Sequence, residues 1–463
     1  MVLSAPRPPR LTSLPEGHRQ LFRRRSTGRG AKGCWMSMTS RRGLLAKSAG
    51  AVAVTLVPSS GAARVNTPRE RPVTTVDGRV DWDALRAQFR LEPGWVNLAL
   101  FYLASHPKVV RDAVDHLSAQ VDANPLSVPT GMALPDGPTG WPRVRQALAA
   151  YLGGRAEDIA MTASTSIGLG VVYNGVVTRP GQEFLLTEHD HISHRTAARL
   201  AAEKQGNTVR LVSWFADPAT ATADGIAAAV GEAIRPNTRV VGITWVQSST
   251  GLRMPVRAVA EVVRRANEGR SPADRCLLVV DGVHGLAAVD EDAAGLGADV
   301  VIAGTHKWLF GPRGTGLVWV APDVLEQLRP TFVSFIRGGG AASLSPGGFL
   351  AFEHAFALPV AVALHEQLGR ARVATRITQL STRVKQGLSR IRGVTVHTPA
   401  DPELSAGLTC FSVAGHTHQQ VVDHAAAHRV RLSTSTYTRI GTAVINTPAE
   451  IDTALNSLAD LTR

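Results

Sequence analysis

Cysteines, aromatic residues and long apolar runs are all scarce in this sequence. Its 463 residues include 3 cysteines, and aromatic side chains make up 5% of the total. Cys34 lies in a basic N-terminal tract, whereas Cys276 and Cys410 lie in apolar stretches typical of strands. The two remaining cysteines do not make the disulfide framework of a small secreted domain. We interpret them as small buried apolar side chains.

Acidic residues are outnumbered by basic ones, but the imbalance belongs to the N-terminus. The chain has 50 Lys and Arg against 37 Asp and Glu, a net charge of +13. Residues 1–63 carry 11 Lys or Arg and 1 Asp or Glu, so the other 400 residues account for only +3. The charge therefore does not indicate a basic nucleic-acid-binding surface on the folded body, and we expect no nucleic-acid partner.

The basic tract ends in a motif typical of export signals. Arg41 and Arg42 precede a weakly apolar run over 49–57, and small residues follow as far as Ala63. The run is too short to span a bilayer stably. The arrangement resembles a twin-arginine signal, which predicts export by that machinery to the periplasm or the exterior, with cleavage near Ala63. The alternative is a disordered basic tail.

The remaining sequence alternates strand-like segments with helical patterns. The candidate strands are short, rich in Val, Ile and Leu and almost free of polar residues: 183–187, 239–245, 276–281, 299–303 and 314–319. Such segments suit strands that are buried on both faces. The alternation predicts an α/β fold with a mostly parallel sheet and helices on both faces. Ligands of such sheets bind beyond the carboxyl ends of the strands.

The pattern changes near residue 330. A Gly-rich stretch at 338–348 leads into a long helical run over 358–390, and two or three short strands follow. The expected parts are a basic extension with its signal at 1–63, an N-terminal segment at 64–118, a large domain at 119–330 and a smaller α/β C-terminal domain at 331–463.

Two residues that can act together in catalysis lie at the ends of neighbouring predicted strands. Asp281 ends one strand, and Lys307 follows the next in the stretch Gly304-Thr305-His306-Lys307-Trp308. A buried carboxylate is costly unless it is paired, and a lysine beyond a strand end can form a Schiff base. Such a lysine and a carboxylate that holds a pyridine nitrogen protonated are the minimum protein contribution to pyridoxal-phosphate chemistry. A lone lysine would instead indicate a solvated surface charge.

Hydroxyl-bearing residues, among them Thr165 and Ser166, follow the apolar segment 159–161 and precede an apolar helical run. At a helix start, such side chains and the free amide groups bind phosphate. Simple helix capping explains the same pattern.

Together these motifs resemble the class V aminotransferase family of fold-type I pyridoxal-phosphate enzymes. Asp281-Gly282-Val283-His284, the lysine stretch and the Ser/Thr-rich segment occur in the family's order, and the resemblance covers nearly all of 94–463. Within the family the chain looks most like the isopenicillin-N epimerases and their twin-arginine-exported relatives. The resemblance implies pyridoxal 5'-phosphate as cofactor, an amino acid or peptide-like amino acid as substrate, and a homodimer whose site lies near the interface.

The resemblance also implies catalytic and substrate-binding roles. Lys307 would form the Schiff base and shuttle the proton at the substrate α-carbon, and Asp281 would pair with the pyridine nitrogen. His189 matches the histidine that stacks on the ring. Arg439 matches the arginine that grips the substrate carboxylate, because a guanidinium fork bonds both carboxylate oxygens.

Five further positions correspond to cofactor contacts in the family. His306, Thr165 and Ser166 match phosphate-anchoring positions. His284 and Ser248 match positions near the ring hydroxyl.

Two other kinds of site use residues of the same types. His189, His191 and His194 have a spacing that metal sites also use, but polar loop residues explain them more simply, and no metal is expected. The Gly-rich run 311–316 lacks the Lys-Ser/Thr ending of a nucleotide-binding loop.

The cofactor leaves epimerisation, transamination and oxidative deamination open, with natural-product tailoring as one setting. The family's cysteine desulfurases carry a nucleophilic cysteine before the carboxylate-binding arginine, and residues 424–428 contain none, which argues against persulfide transfer. A C–S lyase that uses no protein thiol stays an alternative, as does a catalytically silent binding module. Two departures leave the substrate unassigned: Ile445 stands where a Tyr is common, and no Gly-Thr pair occurs near His354.

Overall fold

A computed structural model describes residue 73 and residues 79–348 and 350–463. The predicted signal at 1–63 lies outside these residues, so export stays a prediction. All of the described residues belong to one unit, Arg69–Arg463. None of its described helices has the length and apolar character needed to cross a membrane.

Helices and strands alternate along most of the described chain. The α-helices are α1 (Trp82–Ala87), α2 (Lys108–Ala123), α3 (Ser127–Thr130), α4 (Trp141–Leu152), α5 (Thr165–Gly175), α6 (Ile192–Gln205), α7 (Ala223–Ala233), α8 (Val256–Ala266), α9 (Phe352–Leu368), α10 (Arg370–Leu388), α11 (His418–Ala427) and α12 (Pro448–Leu461). The strands are β1 (Val96–Asn97), β2 (Met132–Leu134), β3 (Gly137–Thr139), β4 (Ile159–Thr162), β5 (Glu183–Thr187), β6 (Thr208–Val212), β7 (Thr238–Thr244), β8 (Leu277–Asp281), β9 (Val300–Gly304), β10 (Gly316–Val320), β11 (Val394–Val396), β12 (Leu408–Val413), β13 (Val430–Arg431), β14 (Ser433–Thr434) and β15 (Thr438–Gly441).

The central sheet has seven strands in the order β4-β10-β9-β8-β7-β5-β6. The strands from β6 to β9 along this order run parallel, and β10 is antiparallel to both of its neighbours. The five strands predicted from the sequence are all present, with ends that differ by no more than two residues. The prediction of a mostly parallel sheet is therefore confirmed.

Helices cover both faces of this sheet because successive strand side chains point to opposite sides. Phe184 and Leu186 belong to an apolar cluster with residues of α5 and α6. Leu185, between them, belongs to a larger cluster that includes residues of α4, α8 and α9. Every residue of β5, β7, β8 and β9 is buried, as their continuous apolar sequences predict.

The C-terminal part differs from the sequence pattern in two details. The predicted helical run over 358–390 is two helices, α9 and α10, which are separated at Gly369, where φ is +85°. Five short strands follow, and four of them form an antiparallel sheet in the order β11-β12-β15-β14. The remaining strand, β13, pairs in parallel with β1, which joins the N-terminal segment to this part of the chain.

Candidate active site

A cavity of about 470 Å³ lies beyond the carboxyl ends of the central strands. Thr244 and Asp281 end β7 and β8, and Lys307 follows β9 by three residues. This is the edge at which parallel α/β sheets bind ligands. The lining consists of Phe101, Tyr102, Ser164, Thr165, Ser166, His191, Ser193, Thr244, Ser248, Asp281, Val283, His284, His306, Lys307, Thr434, Ser435 and Arg439.

Lys307 supplies the amine of this cavity. Its Nζ lies 3.0 Å from His284 Nε2. Burial lowers the pKa of Lys307 to about 8, with Asp281 acting against this shift and Arg439 in its favour. A lysine with a lowered pKa has a larger neutral, nucleophilic fraction near neutral pH, as a lysine that forms a Schiff base requires.

Asp281 is a nearly inaccessible carboxyl group, with 2% of its surface exposed. Its Oδ1 accepts a hydrogen bond from the Val283 N–H at 3.1 Å. Burial raises the pKa of Asp281 to about 6, and the Val283 N–H and Lys307 act in the opposite direction. A buried carboxylate of this kind is stabilised by a cationic partner, and a protonated pyridine nitrogen is such a partner.

His284 has one nitrogen free for a ligand. Its Nε2 faces Lys307, whereas its buried Nδ1 has no hydrogen-bond partner among the described residues. Burial, followed by the charges of Lys307 and Arg439, holds the pKa of His284 well below its ordinary value, so the ring is neutral. The unsatisfied Nδ1 is a buried polar atom whose desolvation a bound cofactor would offset.

The first turn of α5 and His306 form the predicted anion site. Ser164 caps the helix by accepting a hydrogen bond from the Ile167 N–H at 3.2 Å. Thr165 Oγ1 accepts from the Gly304 N–H at 2.8 Å, which leaves its hydroxyl hydrogen for an anion. A Cβ at Gly304 would lie 2.7 Å from His306 Cε1, so a larger residue at this position would displace the His306 ring. Free amides at a helix start suit a phosphate group.

Arg439 reaches the cavity from β15. It donates to Ser248 Oγ at 2.6 Å and to the Thr434 carbonyl at 3.2 Å, and its guanidinium carbon lies 5.2 Å from the Phe101 ring centroid. Its buried Nε has no acceptor in the described part of the chain. Ser248 thus holds the arginine that is predicted to grip the substrate carboxylate.

The structure brings eight of the nine sequence-predicted site residues into this cavity, and His189 is the exception. The His189 ring stacks on Phe215 with the centroids 4.5 Å apart. His191, two residues later, lines the cavity. It is also the N-cap of α6, and its Nδ1 accepts a hydrogen bond from the Ser193 N–H at 3.2 Å. His191, rather than His189, therefore occupies a position from which it can contact a cofactor ring.

The three histidines of the alternative metal site have separate partners. His189 packs on Phe215, His191 faces the cavity, and buried His194 hydrogen-bonds the Tyr173 hydroxyl. Within the described residues, no group of three or more His, Cys, Asp or Glu side chains is arranged to hold a metal ion.

Several residues that line the cavity were not predicted from the sequence. Phe101 and Tyr102 come from the segment after β1, Thr434 is the last residue of β14, and Ser435 follows it. These segments are far apart in sequence, and none of them carries a motif. The pairing of β1 with β13 brings the two segments together, and the sequence alone did not predict this long-range contact.

The cavity as a whole fits pyridoxal phosphate. Lys307 can take the aldehyde carbon, Asp281 the ring nitrogen, and the α5 start with His306 the phosphate. The unsatisfied Nδ1 of His284 offers a further polar contact.

Comparison with known proteins agrees with this site. The family profile described as Aminotransferase class-V matches residues 104–434. Isopenicillin N epimerases of Amycolatopsis lactamdurans and Streptomyces clavuligerus are 28% and 26% identical to the chain, each over 82% of it and over 99% and 98% of their own lengths. A probable cysteine desulfurase of Vibrio cholerae is 26% identical over 68% of the chain and 79% of its own length.

Solved structures share the fold. A mutant of the cystine C–S lyase C-DES, with glycine covalently linked to its pyridoxal-phosphate cofactor, matches with a TM-score of 0.72 at 23% identity, over 81% of this chain and 99% of its own. The apo cysteine desulfurase of Thermococcus onnurineus matches with a TM-score of 0.71 at 17% identity, over 82% and 97%. With a family match that extends over most of its length, this chain belongs to the class V aminotransferases and is a pyridoxal-phosphate-dependent enzyme.

Proposed function

We propose that this enzyme labilises the α-proton of an amino acid or peptide-like amino acid and inverts the configuration at the α-carbon, as an epimerase does. The observation that carries the proposal is that two groups able to exchange a proton, Lys307 and His191, line one cavity with Arg439. The epimerase relatives match nearly their full length, which supports the same reaction type.

Each group has a defined task in this reaction. Bound pyridoxal phosphate supplies the electron sink that weakens the bonds at the α-carbon. Arg439 holds the substrate carboxylate and thereby orients the α-carbon, since a guanidinium fixes both carboxylate oxygens. Neutral Lys307 takes up the α-proton at its Nζ, a role that its lowered pKa favours.

His191 is suited to deliver the proton that completes inversion. Burial, followed by the charges of Lys307 and Arg439, lowers the pKa of His191, so the ring is neutral near pH 7. Because its Nδ1 accepts from the Ser193 N–H, the hydrogen of the neutral ring resides on Nε2. Once a proton from solvent has converted it to the imidazolium, His191 can give that proton to the α-carbon and return to the neutral ring, and its lowered pKa makes the imidazolium a stronger acid.

A matched pair of histidine variants tests this assignment. Substrates are first identified by screening amino acids and peptides for shifts in the absorbance of the bound cofactor. In D₂O, His191→Asn is expected to lose inversion by roughly 100-fold or more, the usual effect of removing a general acid or base. Deuterium should still enter one enantiomer through Lys307. His189→Asn, which alters a ring outside the cavity, should invert its substrate at nearly the normal rate.

Equal losses in the two variants, or full inversion by His191→Asn, would show that His191 does not deliver the proton. Measuring deuterium in the recovered substrate and in the product separates loss of one proton transfer from loss of binding.

C–S bond cleavage is the second candidate because the cavity lining, as far as the structure describes it, contains no thiol. Cys276 and Cys410 are buried, and burial raises the pKa of each thiol to about 12, so neither is a ready nucleophile. A lyase of this family needs no protein thiol, whereas a persulfide-forming desulfurase does. Release of pyruvate and ammonia from cystine, without an inverted product, would favour the lyase.

We also propose a homodimer. Phe332, Val333 and Phe335 are 60%, 74% and 66% exposed, and apolar clusters of this kind mark protein interfaces. Light scattering should give the mass of a dimer for the native protein and of a monomer for the Phe332→Glu, Phe335→Glu double variant. Leu211→Glu, at an exposed apolar position on edge strand β6, should remain dimeric. A native monomer with full activity would contradict the proposal.

A further inference from the structure

A chain of buried polar groups lies behind the cofactor cavity. Asp190, in the turn between β5 and α6, has no exposed side-chain surface. Its Oδ2 accepts a hydrogen bond from the Thr187 N–H at 3.1 Å, and its Oδ1 accepts from the Thr244 hydroxyl at 2.7 Å. His194 Nδ1 lies 3.9 Å from the same Oδ1, and His194 Nε2 hydrogen-bonds the Tyr173 hydroxyl at 2.8 Å. These hydrogen bonds thus connect the ends of two strands, β5 and β7, to two helices, α5 and α6.

The absence of a side chain at Gly242 leaves the space that this series of buried polar groups occupies. A Cβ at Gly242 on β7 would lie 2.2 Å from the Tyr173 hydroxyl and 3.1 Å from His194 Nε2. Burial keeps His194 neutral, with its pKa lowered to about 3. A phenol hydrogen donated to Nε2 therefore leaves the ring hydrogen on Nδ1, which faces Thr244 and Asp190. The Thr187 N–H and the Thr244 hydroxyl thus donate to the Asp190 carboxylate, and His194 Nδ1 lies within hydrogen-bonding distance of Thr244 Oγ1.

Thr244 connects Asp190 to the cofactor cavity. It is the last residue of β7 and pairs in register with Asp281, the last residue of β8, and both line the cavity. Because the Thr244 hydroxyl hydrogen is given to Asp190, Thr244 offers the cavity no donor. Asp190 also places a second buried carboxyl group close to Asp281, without a cationic side chain among its described hydrogen-bond partners.

The titratable groups that face Asp190 are Asp281 from β8, Tyr173 from α5 and His194 from α6. Burial, with a smaller contribution from the charge of Asp281, raises the pKa of Asp190 to about 7, although the hydrogen bonds from Thr244 and Thr187 act to lower this pKa. A cationic ring against Asp281 favours the ionised form of Asp190, and ionised Asp190 in turn favours the cation.

We propose that Asp190 is a positioning residue that turns the Thr244 hydroxyl away from the cavity and, through its charge beside Asp281, keeps the ring nitrogen of bound pyridoxal phosphate protonated to higher pH. Asp190 does not touch the cavity itself, since it is absent from the lining. It acts on the cofactor through two neighbours.

The test is the protonation midpoint of the ring nitrogen in the holoenzyme. The protein is loaded with pyridoxal phosphate that carries ¹⁵N in the ring, and the ¹⁵N chemical shift is followed against pH. Asp190→Asn keeps the shape and an acceptor for Thr244 but removes the charge. It is expected to lower the midpoint by roughly one pH unit, the effect of one buried charge at short range.

Threonine variants keep the test decisive if Asp190→Asn does not fold. Thr244→Val removes a donor to the Asp190 carboxylate, which disfavours the ionised carboxylate, and it should therefore lower the midpoint. Thr244→Ser keeps the hydroxyl donor and should keep the midpoint near its native value. Asp299→Asn is the control, because Asp299 is a buried carboxyl group, 8% exposed, that pairs with Arg275 at the other end of the strands. An unchanged midpoint in both Asp190→Asn and Thr244→Val, or an equal shift in Asp299→Asn, would overturn the proposal.

Discussion

The Lys307→Ala protein is expected to fold, to bind pyridoxal phosphate without a covalent bond, and to lose essentially all activity. Among the described residues, Lys307 is the one lysine in the cavity lining, so no other amine of that lining can replace it. Loss of a covalent catalyst of this kind costs several orders of magnitude in rate. Borohydride reduction followed by mass spectrometry measures the result directly, since the native chain should gain the mass of the reduced cofactor and the variant should not.

A second buried lysine provides the control for this experiment. Lys385 on α10 also has a pKa lowered to about 8 by burial, but its Nζ donates to the Pro399 and Ala400 carbonyls and to Ser405 Oγ. Lys385→Met should keep the reducible adduct, even if the protein unfolds at a lower temperature. An adduct that persists in Lys307→Ala, or disappears in Lys385→Met, would move the covalent site away from Lys307.

The strand ends that position this chemistry are predictable because buried parallel strands leave a clear pattern in a sequence. Such strands have no solvated face, so their apolar runs are continuous and their ends are sharp. Asp281 and Lys307 follow two of these runs, and the pattern alone therefore assigns them to one edge of the sheet. By contrast, β6 is not predicted because it is an edge strand, and Thr208 and Arg210 interrupt its apolar sequence.

The choice between His189 and His191 shows what the sequence could not provide. Both residues lie in the turn between β5 and α6, where no periodicity fixes which side chain faces the cavity. Packing distinguishes the two residues, because the His189 ring stacks on Phe215, whereas His191, the N-cap of α6, lines the cavity. The role of Asp190 was hidden for the same reason, since it depends on the hydroxyl of Thr244 from another strand.

Distant segments account for the rest of the cavity. Phe101 and Arg439 are in contact, although more than three hundred residues separate them. Arg439 itself was predicted through the resemblance to a family, whereas Phe101 belongs to no motif. The fold thus supplies the apolar wall against which the arginine is held.

Arg439→Lys is expected to raise the KM for amino acid substrates by about 100-fold, equivalent to about 2.8 kcal/mol of binding, with a smaller effect on kcat. A lysine keeps the positive charge but lacks the planar fork, so it cannot bond Ser248, Thr434 and a substrate carboxylate together. The buried Nε, which has no acceptor within the described protein, is one of the donors that the substitution removes. Steady-state kinetics on a substrate found by the absorbance screen measure both constants.

The contact between Arg439 and the substrate carboxylate can also be tested by changing the substrate. An amine that corresponds to the substrate without its carboxylate should perturb the cofactor absorbance of the native enzyme and of Arg439→Lys at similar concentrations, because neither protein can grip it. Arg145→Gln is the matched control, since Arg145 is a buried arginine, 5% exposed, that bonds the Ile159 carbonyl outside the cavity. The KM of the Arg145→Gln protein for the amino acid substrate should stay near the native value. If Arg439→Lys weakened binding of the amine and the amino acid equally, Arg439 would be shaping the cavity through Phe101 rather than recognising the carboxylate.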